Sequence, residues 1–274
     1  MTRFTTSLII ALYMCTSVGN AASLDEIKKR GTLRVAVAPL SPFVIRDEDG
    51  SLSGLEIDAM EALSAETGLS IEFVERPFCE LAEAVVSGAA DMIASGYSNM
   101  PERRGVLDFS LPYHDTEYFL VVSREKAKKA KTLRGLNSDD VKIGYQLGGV
   151  SGMVATGEFS GSALKGFSSF PEIVDALRSG EVDGAVMFEP YLGAAEDIKK
   201  YKYRVPHEFA LTRTIEAYAV EKGSDELRDR LNEFVISRDI QGYWDDLEEK
   251  WFADDALASS APPPTSCKST TPQG

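Results

Sequence analysis

Apolar positions along this chain fall into two alternating rhythms. Short runs that are apolar on nearly consecutive residues stand at LRVAV (33–37), IEFVER (71–76), ADMIASG (90–96), YFLVVS (118–123), VKIGYQ (141–146), DGAVMF (183–188) and IEAYAVEKG (215–223). Runs of this kind suit strands buried on both faces. The segments between them follow a helical period. GLEIDAMEALSAETG (54–68) sets Ile57, Met60 and Leu63 on one face and stops at Gly68. CELAEAVVSG (79–88) and FPEIVDALRSG (170–180) also end on glycine, and DELRDRLNEFVISRD (225–239) and GYWDDLEEKWF (242–252) close the series. Strands alternating with amphipathic helices that stop at glycine predict a parallel α/β sheet.

The pattern repeats within the chain. In 79–96 and again in 170–190 a helix is followed by Ser-Gly, two residues, an aspartate and a buried strand, the aspartates being Asp91 and Asp183. Together with the return to strand near Ile215, this predicts two similar α/β lobes joined by two crossings.

Composition narrows the setting. With 274 residues and 43% hydrophobic content the chain can bury one large or two moderate cores. A formal charge of −14 argues against nucleic acid and against anionic membranes as partners. The basic stretch REKAKKAKTLRG (124–135) reads as a solvated linker helix or loop. Residues 1–22 join a positive MTRF, a short apolar SLIIALYMC and a small-residue GNAA, the form of a removed secretory signal. Its apolar core is too short to span a bilayer, which takes about 20 residues. LYM before Cys15 lacks the small residue that lipid attachment prefers. The expectation is an exported, periplasmic protein.

Of the remaining cysteines, Cys79 and Cys267 match no metal-site spacing, and His114 and His207 are isolated. No serine nucleophile elbow or phosphate-cradling loop appears, so no cofactor or metal is expected. An exported protein permits a Cys79–Cys267 disulfide. Against it, Cys267 stands in SSAPPPTSCKSTTPQG (259–274), a composition that reads as a disordered tail.

Candidate chemistry concentrates in SGYSNMPERRGVLDFSLPY (95–113). Asn99, Met100, Pro101 and Glu102 have the form of a capping box with proline near the first helical position. Arg103 and Arg104 are then expected in a first helical turn, where the dipole disfavours each cation by about 0.3–1 kcal/mol. A residue set against a local rule is a functional candidate. A surface ion pair of Arg103 with Glu102 or Asp108 is the competing explanation. Ser95, Gly96, Tyr97 and Ser98 occupy the carboxyl end of a strand, where open α/β sheets bind ligands. YQLGGVSGMVA (145–155) reads as strand, glycine-rich turn and helix start, so the main-chain N–H groups of Gly149, Val150 and Ser151 form a candidate anion site.

The segments LDEIKKRGTLRVAV (24–37), SPFVIRDEDGSLSGLEIDAMEAL (41–63), LAEAVVSGAADMIASGYSNMPERRGVLDFSLPY (81–113) and VKIGYQLGG (141–149) followed by ALRSGEVDGAV (176–186) resemble the family-3 extracellular solute-binding proteins, the receptors of polar amino-acid ABC importers. The resemblance runs from about Leu24 to Trp251. It implies a two-lobe periplasmic-binding-protein fold of type II, α/β, with two parallel-sheet lobes joined by two hinge strands. Lobe one would be 23–117 plus 218–256, lobe two 118–217, and 257–274 the tail. It implies hinges near Tyr118–Val121 and Ile215–Val220, a membrane permease as partner, and a monomer.

By the same resemblance Arg103 pairs with a ligand carboxylate, Ser98 assists it, and Phe78 furnishes a wall. Departures accompany the likeness. Where such receptors carry an aspartate for the ligand's ammonium, this chain has Phe188, with Glu189 one residue on as a substitute or a plain solvated acid. Leu40 replaces a frequent aromatic, and Phe43 is expected in the core. The ligand is accordingly an amino acid held by Glu189, a small carboxylate lacking the amine, or a methylated amine bound by Phe78, Tyr97 and Phe188. Two alternatives stay open on resemblance: an accessory protein of a periplasmic quinoprotein alcohol dehydrogenase, or a dehydratase-like enzyme using Glu189.

Overall fold

The computed structural model describes residues 23–129, 132–188, 191, 203–204, 210–252 and 266–267. Its centre is one nine-stranded sheet. Strands β1 (Thr32–Val37), β4 (Ser70–Glu75) and β5 (Met92–Ile93) form one parallel half, in the order β4-β1-β5. Strands β7 (Lys142–Gln146), β8 (Ala163–Phe167) and β9 (Gly184–Phe188) form the other, in the order β9-β7-β8. Between the halves run β6 (Leu107–Ser123) and β11 (Thr212–Glu221), antiparallel to each other. The short β10 (Tyr203–Arg204) adds to β6, and β2 (Ile45–Arg46) pairs with β3 (Leu52–Ser53) apart from the main sheet.

Local chemistry accounts for the elements around this sheet. Helix α1 (Leu24–Arg30) opens on a reciprocal capping box between Ser23 and Glu26 and stops at Gly31, whose φ of 74° suits glycine. Helix α2 (Leu55–Thr67) buries Ile57, Met60 and Leu63 as its period predicts, and it also buries Glu56. A 3₁₀ turn at Phe78–Glu80 leads into α3 (Leu81–Val86). Helices α4 (Arg124–Lys129) and α5 (Leu133–Leu136) carry the basic stretch. Helices α6 (Val150–Glu158) and α7 (Phe170–Ser179) pack against the second half, and α8 (Asp225–Ile240) and α9 (Tyr243–Trp251) follow β11.

The internal repeat has a common mechanical cause. Gly88 and Gly180 end α3 and α7 at φ of 73° and 79°. The aspartate that follows then ties its strand to a neighbour. Asp91 accepts the Arg34 N–H at 2.7 Å while its own N–H donates to the Arg34 carbonyl at 2.8 Å. Asp183 accepts the Lys142 N–H at 2.9 Å and its N–H donates to the Lys142 carbonyl at 2.8 Å. Arg30 and Arg34 complete the first tie as ion pairs to Asp91 at 2.5 and 2.7 Å.

The crossing strands also take part in the half-sheets. Tyr118–Val122 already ladder with β9, and Ala219 and Val220 with β5. On β6 the stretch that pairs only with the other crossing strand is near 112–117, on the amino-terminal side of the expected Tyr118–Val121 hinge, while opposite it Ile215, Glu216 and Ala217 also bond or bridge to Asn99, Ser98 and Tyr97. Register shifts flank Ala217 in this ladder. Side chains take over where the ladder is broken: Tyr218 N–H donates to Ser110 Oγ at 3.0 Å and Leu111 N–H to Asn232 Oδ1 at 2.7 Å.

Of the tail, residues 266–267 are described, and Cys267 is held in place. Cys267 is disulfide-bonded to Cys79, is buried, and donates its N–H to Ser168 Oγ at 3.2 Å. Composition argued for disorder there, but the bridge holds Cys267 against both half-sheets. Residues 1–22 and His207, on which other expectations rest, lie outside the described residues. Among the described residues no helix is long and apolar enough to cross a membrane.

Candidate functional site

Arg103 lies in a single 3₁₀ turn, Arg103–Gly105, not in the first turn of an α-helix. The expected capping box is absent because Asn99 Oδ1 accepts from Arg104 Nε at 2.7 Å. One turn has no stack of aligned peptides, so the dipole penalty inferred from sequence does not apply. The competing surface pair is overturned too. Asp108 takes Lys222 Nζ at 2.7 Å and the Gly223 N–H at 2.8 Å.

The Arg103 guanidinium instead reaches from one half to the other. Nη1 donates to the Ser98 carbonyl at 2.7 Å and Nη2 to the Gly148 carbonyl at 3.0 Å. Its central carbon stands 3.8 Å from the Tyr97 ring centroid and 5.8 Å from that of Phe78. Tyr97 and Phe78 are buried with centroids 5.7 Å apart, which makes them an aromatic shelf under a half-buried cation. Burial pushes the Tyr97 phenol up, with Arg103 opposing. Among the described residues Arg103 meets no carboxylate.

The facing turn is shaped by glycine. Gly148 has φ of 73°, and a Cβ there would stand 2.6 Å from Cys79 Cα, so only glycine lets the two backbones approach. Gly149 is the N-cap of α6, with its N–H directed to the Gln146 carbonyl at 3.4 Å. Val150 and Ser151 are buried, and Ser151 Oγ accepts the Gln146 N–H at 2.8 Å. The predicted anion turn thus abuts Arg103 through the Gly148 carbonyl, while the Ser151 hydroxyl is engaged within its own half.

Other predicted residues have different duties. Gly96 donates its N–H to Glu56 Oε1 at 2.7 Å, and a Cβ on it would strike the Phe43 ring at 2.6 Å, so it is a packing position. Ser98 divides its polar groups: the carbonyl holds Arg103 and the hydroxyl donates to Glu216 Oε1 at 3.0 Å. Phe188 is not gathered with Phe78 and Tyr97. It pairs with Tyr118 across the sheet and packs on Phe170, Tyr191, Tyr118 and Phe43 at 5.0 to 6.4 Å, an aromatic core that bridges the halves. Phe43 is buried there, as expected. Glu189 lies outside the described residues.

Two buried acids escaped the reading of the sequence. Burial pushes Glu56 up to about 7, opposed by hydrogen bonds from the Tyr113 hydroxyl and the Gly96 N–H. Burial pushes Glu216 up to about 8, opposed by the hydroxyls of Ser98, Thr116 and Thr214. The available signal was an acid inside the apolar runs GLEID and IEAYAV. Nearby, His114 is pushed down to about 4 by burial, its ring 5.2 Å from Phe43 and 4.7 Å from Phe252. Among the described residues no group of three or more His, Cys, Asp or Glu could hold a metal.

Comparison with known proteins places the chain in a family. Residues 33–254 match the model of the bacterial extracellular solute-binding proteins, family 3. A "Probable histidine-binding protein" of Neisseria gonorrhoeae is 30% identical over 256 residues, 89% of this chain and 91% of its own. Among solved structures, an ancestral amino-acid-binding protein that is a precursor of cyclohexadienyl dehydratase is 32% identical with a TM-score of 0.73, covering 83% of this chain and 98% of that one. The substrate-binding protein AbpA of an amino-acid ABC transporter from Streptococcus pneumoniae, bound to L-arginine, is 26% identical with a TM-score of 0.74, covering 85% and 99%.

Proposed function

Because this chain belongs to family 3 of the bacterial extracellular solute-binding proteins and has their two-lobed type II fold, we propose that it is the amino-acid receptor of an ABC importer, working in the periplasm once residues 1–22 are removed. Lobe one is 23–117 with 218–256, lobe two 118–217, and the ligand sits between them. The observation that carries the reading is Arg103, a half-buried cation without a carboxylate partner among the described residues, which bonds carbonyls on both halves and lies on Tyr97. A guanidinium forks onto a carboxylate with two parallel hydrogen bonds that are charge-assisted, stronger than its present bonds to neutral carbonyls. A ligand carboxylate therefore replaces the Ser98 and Gly148 carbonyls as its partner. Phe78 and Tyr97 form the wall, and the N-terminus of α6 at Gly149 covers the anion from the other lobe.

Closure buries the ion pair away from water, which strengthens it. The relatives named for binding histidine, arginine and cystine suggest a polar or cationic amino acid. A membrane permease then reads the closed monomer. The kinship with a dehydratase precursor is to a protein itself described as amino-acid-binding, so binding is the favoured reading over catalysis. A thermal-shift panel on residues 23–274 with L-arginine, L-lysine, L-histidine, L-cystine, keto acids and betaines tests it. Ligand at about 100 times Kd adds about 2.7 kcal/mol of stability. Arg103→Ala should abolish that shift and leave the unliganded melting temperature nearly unchanged. A variant that still responds refutes the site.

A further inference from the structure

We propose that Glu216 is the second ligand-binding charge of this receptor, the acceptor for the α-ammonium group of the amino acid whose carboxylate Arg103 holds. The inference rests on the amino-acid reading above and names the group that completes it. An amino acid withdrawn from water needs a partner for each of its charges, since an unmatched buried charge is strongly disfavoured. The described aromatic surroundings of Phe188 supply no such acceptor.

Glu216 supplies it. The residue is 1% exposed on β11, opposite His114 of β6 and in an antiparallel bridge with Ser98. Its Oε1 accepts from Ser98 Oγ and Thr214 Oγ1, both at 3.0 Å. Its Oε2 is buried and has no hydrogen-bond partner. The Thr116 hydroxyl beside it is also unpartnered, so at rest this oxygen carries the carboxyl proton, and once ionised it accepts from a donor. Ser98 joins the two ends of the site, its carbonyl on Arg103 and its hydroxyl on Glu216. Cation and acid are thus both held by one residue, through its main chain and its side chain. The Tyr118 phenol feels both of them, raised by Glu216 and lowered by Arg103.

Other acids in the region are committed elsewhere. Asp115 and Glu117 face Arg213, at 2.8 and 3.6 Å. Glu56 accepts from the Tyr113 hydroxyl and the Gly96 N–H through Oε1, and its Oε2 is likewise unpartnered, but none of its bonds is to Ser98 or Arg103.

Burial keeps Glu216 protonated at neutral pH, with a value near 8. The groups that face it are the hydroxyls of Ser98, Thr116 and Thr214, the like charge of Asp115, and the phenols of Tyr113 and Tyr118. When the ammonium arrives, the carboxyl O–H proton leaves to solvent and the carboxylate pairs with the ligand's N–H groups. Binding well below pH 8 therefore releases about one proton, and the release declines as pH rises through 8.

The test uses the full mature chain and the tightest binder among L-arginine, L-lysine, L-histidine and L-cystine. Isothermal titration in phosphate and in Tris, whose ionisation enthalpies differ, should report release of about one proton per ligand at pH 6.5 and a clearly smaller release at pH 8. Glu216→Gln keeps an oxygen for the hydroxyls and removes the charge. It should weaken binding about 100-fold, release no proton, and bind the des-amino analogue of the same ligand within threefold of the unaltered protein. Unaltered protein that releases no proton at pH 6.5 overturns the proposal, even if the variant fails to fold. Equal binding by Glu216→Gln, with Arg103→Ala inactive, overturns it while leaving the receptor intact. If no panel member binds, the receptor reading fails and this inference fails with it.

Discussion

Breaking the Cys79–Cys267 bridge is expected to lower stability by about 2 kcal/mol, a magnitude set by two competing loops. The cysteines are 188 residues apart in sequence, and tying them in the unfolded chain removes conformational freedom equivalent to about 5 kcal/mol in the loop-entropy account. The folded chain is restrained as well. Among the described residues the last packed ring before Cys267 is Phe252, seated on Phe43 and His114; counting the about 15 residues from Phe252 to Cys267 as a loop that the bridge alone anchors gives an offset of about 3 kcal/mol. The difference, near 1.5RT times the logarithm of the ratio of loop lengths, is about 2 kcal/mol. For a chain of this size that is a drop of about 4–8 °C in melting temperature. Calorimetry of the protein with and without reductant, and of the Cys79→Ser/Cys267→Ser pair, measures it, with non-reducing peptide mapping to establish the bridge beforehand. An unchanged melting temperature refutes the reasoning. A loss near the full 5 kcal/mol refutes its second half, because the tail would then stay docked through its own contacts.

The remaining predictions concern charge and closure. Glu56 is raised from about 4.5 to about 7, so its contribution is full below pH 4.5 and is lost as pH rises to 7, on the order of 3 kcal/mol. Urea unfolding at pH 5 and pH 8 should show this decline, and Glu56→Gln should reduce it; an identical pH slope in the variant would be contrary evidence. His114 is lowered from 6.5 to about 4, so its contribution is present above pH 6.5 and disappears as acid passes through 4, which His114→Gln should blunt in acid-unfolding curves. Gly148→Ala forces a Cβ onto the Cys79 backbone at a left-handed φ, so ligand affinity should fall at least tenfold and small-angle scattering should show a more open particle. Unchanged affinity would mean that Gly148 and Cys79 need not approach in the bound form.

The regular elements were legible because their periods are clean. Ile57, Met60 and Leu63 on α2, and the glycine–aspartate punctuation at Gly88–Asp91 and Gly180–Asp183, carry local physics that needs no partner. Strand β8 was not read, since ALKGF lies at the sheet edge with alternating exposure and no apolar run. Nor was the length of β6, whose SLPYH segment contains proline and is strand only because Ser110 and Asn232 stand in for missing ladder bonds. Arg103 was picked out by a dipole argument that its single turn does not support. Its standing comes from Gly148, 45 residues away. The acids Glu56 and Glu216 were missed because their partners, Tyr113, Ser98 and Thr214, meet them only in the folded chain.

The broken ladder between the crossing strands has a bearing on how such a scaffold changes. His114 stands opposite Glu216 and Phe109 opposite Ala219, so β6 holds two surplus residues over the same interval of β11. Removing one would invert the facing of every side chain beyond it, carrying Thr116 and Tyr118 to the wrong side. Removing both would preserve the facing while straightening the join. The angle at which the two bodies meet is thus encoded as an even number of inserted residues, a variable that insertion and deletion can adjust while neither interior is repacked.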